Sequence, residues 1–116
     1  MENRFPGGSW PVMLTPFTED NKIDYDGLKE LVDWYIKNGV SGMFAVCQSS
    51  EMFYLSLDER VKYAVKTVEF AAGRVPVIAS GHVSDKIEDQ ITELNEIAKT
   101  GVDAVILITN RLAKED

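Results

Sequence analysis

The sequence predicts an α/β chain in which helices alternate with short buried strands of a parallel sheet. Two observations carry that reading. Apolar residues recur at helical spacing in three stretches, and between them lie apolar runs too short for helices. The runs at 43–46, 75–79 and 104–108 are nearly continuously apolar, as expected of strands covered on both faces. A third observation sets the period. Asn38-Gly39-Val40-Ser41-Gly42 before one strand is echoed by Thr100-Gly101-Val102-Asp103-Ala104 at another, a glycine stop with a strand one turn later. Strand starts recur about every 30 residues, the size of one strand–helix unit of a (β/α)8 barrel.

Residues 10–14 are the first strand candidate, with Pro11 near the start, where a missing donor is tolerable. Thr15-Pro16-Phe17 ends it, and 18–24 is a polar loop. A first helix is expected over 25–38, with Leu28, Leu31, Val32, Tyr35 and Ile36 on one face. Asp24 or Asp26 can cap it, Gly27 is a weak spot, and Gly39 stops it. Residues 43–46 form the second strand. Ser56-Leu57-Asp58-Glu59 is a capping-box pattern that opens the second helix. Val61, Ala64, Val65 and Val68 are its expected inner stripe, and Gly73 its end. The third strand covers 75–79. The third helix is expected to open at Ser84 or Asp85, with Ile87, Ile91, Leu94 and Ala98 facing inward and Gly101 ending it. Residues 104–108 are the fourth strand, followed by a polar tail over 110–116.

The bulk numbers exclude several classes. With 116 residues, 45% hydrophobic and 27% charged, the chain is an ordinary globular composition of one segment, with no second domain. A net charge of −7 argues against nucleic acid or an anionic membrane as partner. No apolar run approaches the roughly 20 residues of a membrane helix, and the first residues lack a signal-peptide core. Cys47 is the only cysteine and His82 the only histidine, so neither a disulfide nor a Cys/His metal cluster is expected. A cytoplasmic setting follows as the default. About four strands and three helices make the N-terminal half of a barrel, which leaves an open parallel edge and a bare inner face. The alternatives are a small open α/β sheet complete in itself or part of a longer chain. The end just past a strand leads us to expect the latter.

Cys47-Gln48-Ser49-Ser50-Glu51 follows the second strand at its carboxyl end, where ligand sites of parallel α/β folds sit. Two serines and a carboxylate there suit a small anion. The plainer alternative is a turn capped by Ser49 and Ser50, with Glu51 solvated. Cys47 has no basic neighbour in sequence and reads as a small buried residue. His82 and Arg111 follow the third and fourth strands on the same rim. His82 reads more simply as polar surface, while Arg111 is placed to meet an anion but reads at least as well as an exposed tail arginine. Phe53 and Tyr54 read as core or subunit-contact aromatics.

At Leu14-Thr15-Pro16-Phe17, Asn38-Gly39-Val40-Ser41-Gly42 and Gly73-Arg74-Val75-Pro76-Val77-Ile78-Ala79 the chain resembles the dihydrodipicolinate synthase / N-acetylneuraminate lyase family. The likeness runs in order over essentially the whole chain. It implies a (β/α)8 TIM barrel and a class I aldolase-type lyase acting on pyruvate or another 2-oxo acid. It implies a Schiff-base lysine on a sixth strand outside this chain, no separate cofactor, and a homo-oligomer, dimer or tetramer. The family's carboxylate-binding loop usually reads Gly, Thr or Ser, Thr, Gly, Glu. Aligned through Glu51, Gln48 takes the first hydroxyl position, Ser49 the second, and Ser50 replaces a glycine. A local shift instead makes Ser49 and Ser50 the hydroxyl pair. Glu51 would lie buried behind the loop and anchor its backbone.

After Thr109 the family often has proline and two aromatics, where this chain has Asn110, Arg111 and Leu112. The expectation is therefore a divergent lyase or aldolase. None of the lysines falls in a predicted strand, so the covalent amine is expected outside this chain. The rivals are a non-catalytic relative and a self-contained α/β binding module. A receiver would need clustered acids at strand ends, and a flavodoxin-like module a phosphate-cradling first loop; neither motif is present.

Overall fold

Three helices hide one face of a short parallel sheet, and the other face stays half open. The structure, a computed structural model, describes residues 5–112 apart from the side chains of residues 110 and 111. Its elements are α1 (Tyr25–Lys37), β1 (Met43–Ala45), 3-10 turns at Gln48–Ser50 and Met52–Tyr54, α2 (Leu57–Ala71), β2 (Val77–Ala79), α3 (Ile87–Ala98), β3 (Ala104–Val105) and the short α4 (Thr109–Leu112). The sheet order is β1-β2-β3, all parallel, with Met43 beside Val77, Ala45 beside Ala79 and Ile78 beside Ala104. No helix among the described residues is long and apolar enough to cross a membrane.

The strands are shorter than their apolar runs, for identifiable reasons. Residues 10–14 make one parallel bridge, Val12 to Phe44, instead of a strand. Met13 N–H donates to Phe44 O at 2.9 Å and Phe44 N–H to Pro11 O at 3.0 Å, but Pro11 has no N–H to extend the ladder. β1 stops at Ala45 because Val46 turns into the left-handed region at φ 48. β3 is an edge of two residues. The segment expected as a polar tail begins with a helical turn, α4.

Side chains alternate across the sheet. Met43, Ala45, Val77 and Ala79 are buried under the helices, while Phe44 and Ile78 are half-buried on the other face. That half-buried face corresponds to the inner face that half of a barrel leaves uncovered. Gly42 allows the close approach of Trp10: a Cβ there would stand 2.2 Å from the indole Cζ3.

α1 follows its sequence pattern. Asp24, not Asp26, caps it by accepting from Gly27 N–H at 3.0 Å, Leu28 and Val32 are buried, and Gly39 exits at φ 82. α2 opens with the expected box: Ser56 Oγ accepts from Glu59 N–H at 3.1 Å, and Glu59 Oε1 accepts from Ser56 N–H at 2.9 Å. Its buried face is Arg60, Tyr63, Ala64, Thr67 and Ala71, with Val61, Val65 and Val68 half-buried.

α3 departs most from expectation. It starts at Ile87 after Lys86, with no capping side chain, and it buries Gln90, Glu93 and Ile97. Ile91 and Ala98 are exposed, whereas both were expected inward. The helix is rotated because its polar side chains have partners inside. Glu93 Oε2 meets Arg60 Nη1 at 2.5 Å, and its Oε1 accepts from Val83 and Ser84 N–H at 3.2 and 3.0 Å. Those two N–H groups would otherwise belong to an earlier helix start.

Candidate functional site

The chain leaves β1 through a bracketed turn. Val46 (φ 48) and Glu51 (φ 61, ψ 38) both adopt left-handed backbone, and Gln48–Ser50 coil between them. A β-branched residue in that region costs on the order of 1–3 kcal/mol and persists only where its surroundings hold it. Gln48 and Ser49 are exposed on the turn. They line a cavity of ≈ 320 Å³ together with Cys47 and the apolar walls Val12, Phe44, Ile106 and Ile108. Apolar walls with a few convergent polar groups suit a small molecule that has a polar end and an apolar end.

Ser50 faces the other way. It is fully buried, its Oγ donates to Met13 O at 2.5 Å, and the same Oγ accepts from Cys47 N–H at 3.2 Å. Thr15 Oγ1 donates to Ser50 O at 2.5 Å. Tyr63, reaching down from α2, donates its hydroxyl to Leu14 O at 2.7 Å. Burial pushes the Tyr63 phenol well above its ordinary range, so it stays a neutral donor. A buried hydroxyl layer thus lies under the turn.

Of the residues singled out from sequence, the structure brings Gln48 and Ser49 to the cavity and withdraws Ser50. Ser50 is a poor ligand group here because its hydroxyl is engaged on both sides. Glu51 is exposed, not buried behind the loop, since its left-handed backbone turns the side chain outward. His82 is not surface. It is fully buried, with Nδ1 2.7 Å from Gln90 Oε1 and Nε2 accepting from Ile108 N–H at 2.9 Å. That geometry sets an Nδ1–H tautomer and makes His82 a strut between α3 and the chain after β3. The Arg111 side chain lies outside the described residues. Phe53 and Tyr54 are exposed rather than core, Tyr54 at 84%. Cys47 is buried.

Sequence reading missed the Arg60–Glu93 pair. Burial pushes the Glu93 carboxyl up, but Arg60 and Ser84 outweigh it and hold it below its usual value. Arg60 also donates from Nε to Leu55 O at 3.1 Å and from Nη1 to Gly81 O, so α2 is stitched to the loop after β2. A signal existed: Arg60 stands one turn before Ala64, and Gln90 and Glu93 stand in phase with Ile97. Among the described residues no lysine lies in a strand, and no group of three or more His, Cys, Asp or Glu is placed to hold a metal ion.

Residues 5–115 match the profile of the Dihydrodipicolinate synthetase family. The chain is 42% identical over 102 residues to a 4-hydroxy-tetrahydrodipicolinate synthase of Methanococcus maripaludis, covering 88% of this chain and 35% of that protein. It superposes on a crystal structure of dihydrodipicolinate synthase with a TM-score of 0.76 at 38% identity, over 83% of this chain and 33% of that one. A dihydrodipicolinate synthase from Acinetobacter baumannii, solved with pyruvate, aligns with a TM-score of 0.76 at 27% identity, over 81% and 32%. The chain therefore spans about a third of the length of its relatives, and it matches the N-terminal portion of their barrel.

Proposed function

Because the chain belongs to the dihydrodipicolinate synthetase family, we propose that it forms the carboxylate-binding rim of a class I aldolase-type lyase. The substrate is pyruvate or another 2-oxo acid, held as a Schiff base by a lysine that this chain does not contain. The whole protein is read as a cytoplasmic homo-oligomer with the N-terminal half of its TIM barrel here. The observation that carries the proposal is the placement of Gln48 and Ser49 on the cavity at the carboxyl end of β1. Side-chain donors there make charge-assisted hydrogen bonds to a carboxylate. Phe44, Ile106 and Ile108 exclude water from the methyl end of a small 2-oxo acid.

The test is covalent trapping. The full-length protein is incubated with pyruvate and with longer 2-oxo acids, including N-acetylneuraminate, then reduced with borohydride and weighed. A mass gain equal to the reduced adduct supports the proposal. No gain with any of them refutes it in favour of a family relative without the chemistry.

A further inference from the structure

Resting on that reading of the site, we infer that Tyr63 is a positioning residue for 2-oxo acid binding, acting through Leu14, Thr15 and Ser50 on the turn that carries Gln48 and Ser49. The three consecutive residues 13–15 form a template beneath the turn. Met13 O accepts from Ser50 Oγ at 2.5 Å, Thr15 Oγ1 donates to Ser50 O at 2.5 Å, and Tyr63 OH pins the residue between them through Leu14 O at 2.7 Å. Ser50 holds both ends of the turn, its own and that of Cys47 through the Cys47 N–H. The ladder holds only the Met13 end of this template, through Met13 N–H to Phe44 O, because residues 10–14 make only one bridge to β1. The Tyr63 hydroxyl supplies what the missing ladder bonds would have.

Two features separate this role from plain packing. Phenylalanine would fill the same buried volume, so the hydroxyl is needed for its bond, not its bulk. The turn also starts from a left-handed valine, Val46 at φ 48, a conformation that relaxes unless the residues after it are tied down. Loosening Leu14 lets Ser50 shift. The Gln48 and Ser49 donors then lose their aim while the core beneath remains packed.

The measurement is the pyruvate concentration giving half-maximal borohydride trapping in the full-length protein. Tyr63→Phe is expected to raise it about three- to tenfold, the weight of one hydrogen bond, with full trapping at saturation. Thr100→Val is the control. It removes another buried hydroxyl, bonded to Ile97 O at 2.6 Å at the end of α3, with no bond to residues 13–15 or 46–51, and is expected to leave the half-maximal concentration unchanged. Should Tyr63→Phe fail to fold, Thr15→Val cuts the next link and is expected to give the same shift. Equal shifts in Tyr63→Phe and Thr100→Val, or none in Tyr63→Phe, overturn the inference alone. Wild-type protein that traps no 2-oxo acid overturns the underlying reading and the inference with it.

Discussion

Glu93→Gln is the sharpest stability test. The Glu93 and Arg60 side chains are only 5% and 6% exposed, and Glu93 accepts from Arg60, Val83 and Ser84 together. Glutamine keeps Oε1 for the two backbone donors but turns an N–H toward the guanidinium. Removing one partner of a buried pair costs about 3–5 kcal/mol. Arg60 retains Leu55 O and Gly81 O, so the low end, about 3 kcal/mol, is expected. With a urea m-value of about 2 kcal/mol/M, the midpoint falls by about 1.5 M. Glu93→Leu should be worse, because Val83 and Ser84 N–H then lose their acceptor as well. Urea titration followed by circular dichroism reads both variants. A Glu93→Gln midpoint within about 0.3 M of wild type, under about 0.6 kcal/mol on the same scale, would refute the assignment of this pair as a stabilising tie between α2 and α3.

Acid should remove the same stabilisation. The folded Glu93 carboxyl lies below its unfolded value of about 4.3. The contribution is therefore complete above that value and is lost as pH falls through the lower folded one, so the gap between wild type and Glu93→Gln should close in acid urea titrations. Ser49→Ala should weaken 2-oxo acid binding roughly tenfold or more, since a charge-assisted hydrogen bond is worth about 1.5–3 kcal/mol; calorimetry that finds unchanged affinity would remove Ser49 from the site. His82→Ala should lower the thermal midpoint, because α3 and the chain after β3 lose their strut and Ile108 N–H loses its acceptor; a melting curve that overlays the wild type would contradict the strut. Gly42→Ala should destabilise by displacing Trp10, visible as a red-shifted indole emission; an unshifted spectrum would contradict the close approach.

What the sequence determined by itself was local. Helix existence, the Ser56–Glu59 box, the Asp24 cap and the Gly39 exit depend on residues within one turn of each other, so their physics is legible in a short window. The family resemblance was legible for the same reason, because its motifs sit at strand ends where spacing is rigid. Tertiary structure decided which faces turn inward. Gln90 and Glu93 look like solvent residues until His82 and Arg60, distant in sequence, are seen to meet them, and Ile91 is then left outside. Packing likewise split the serine pair. Ser49 and Ser50 are chemically identical, but the carbonyl of Met13 and the hydroxyl of Thr15 claim Ser50 and leave Ser49 on the cavity. Strand lengths fell short of their apolar runs because hydrogen-bond partners, not hydrophobicity, set where a ladder ends: Pro11 has no N–H to give, and Val46 turns out of the sheet.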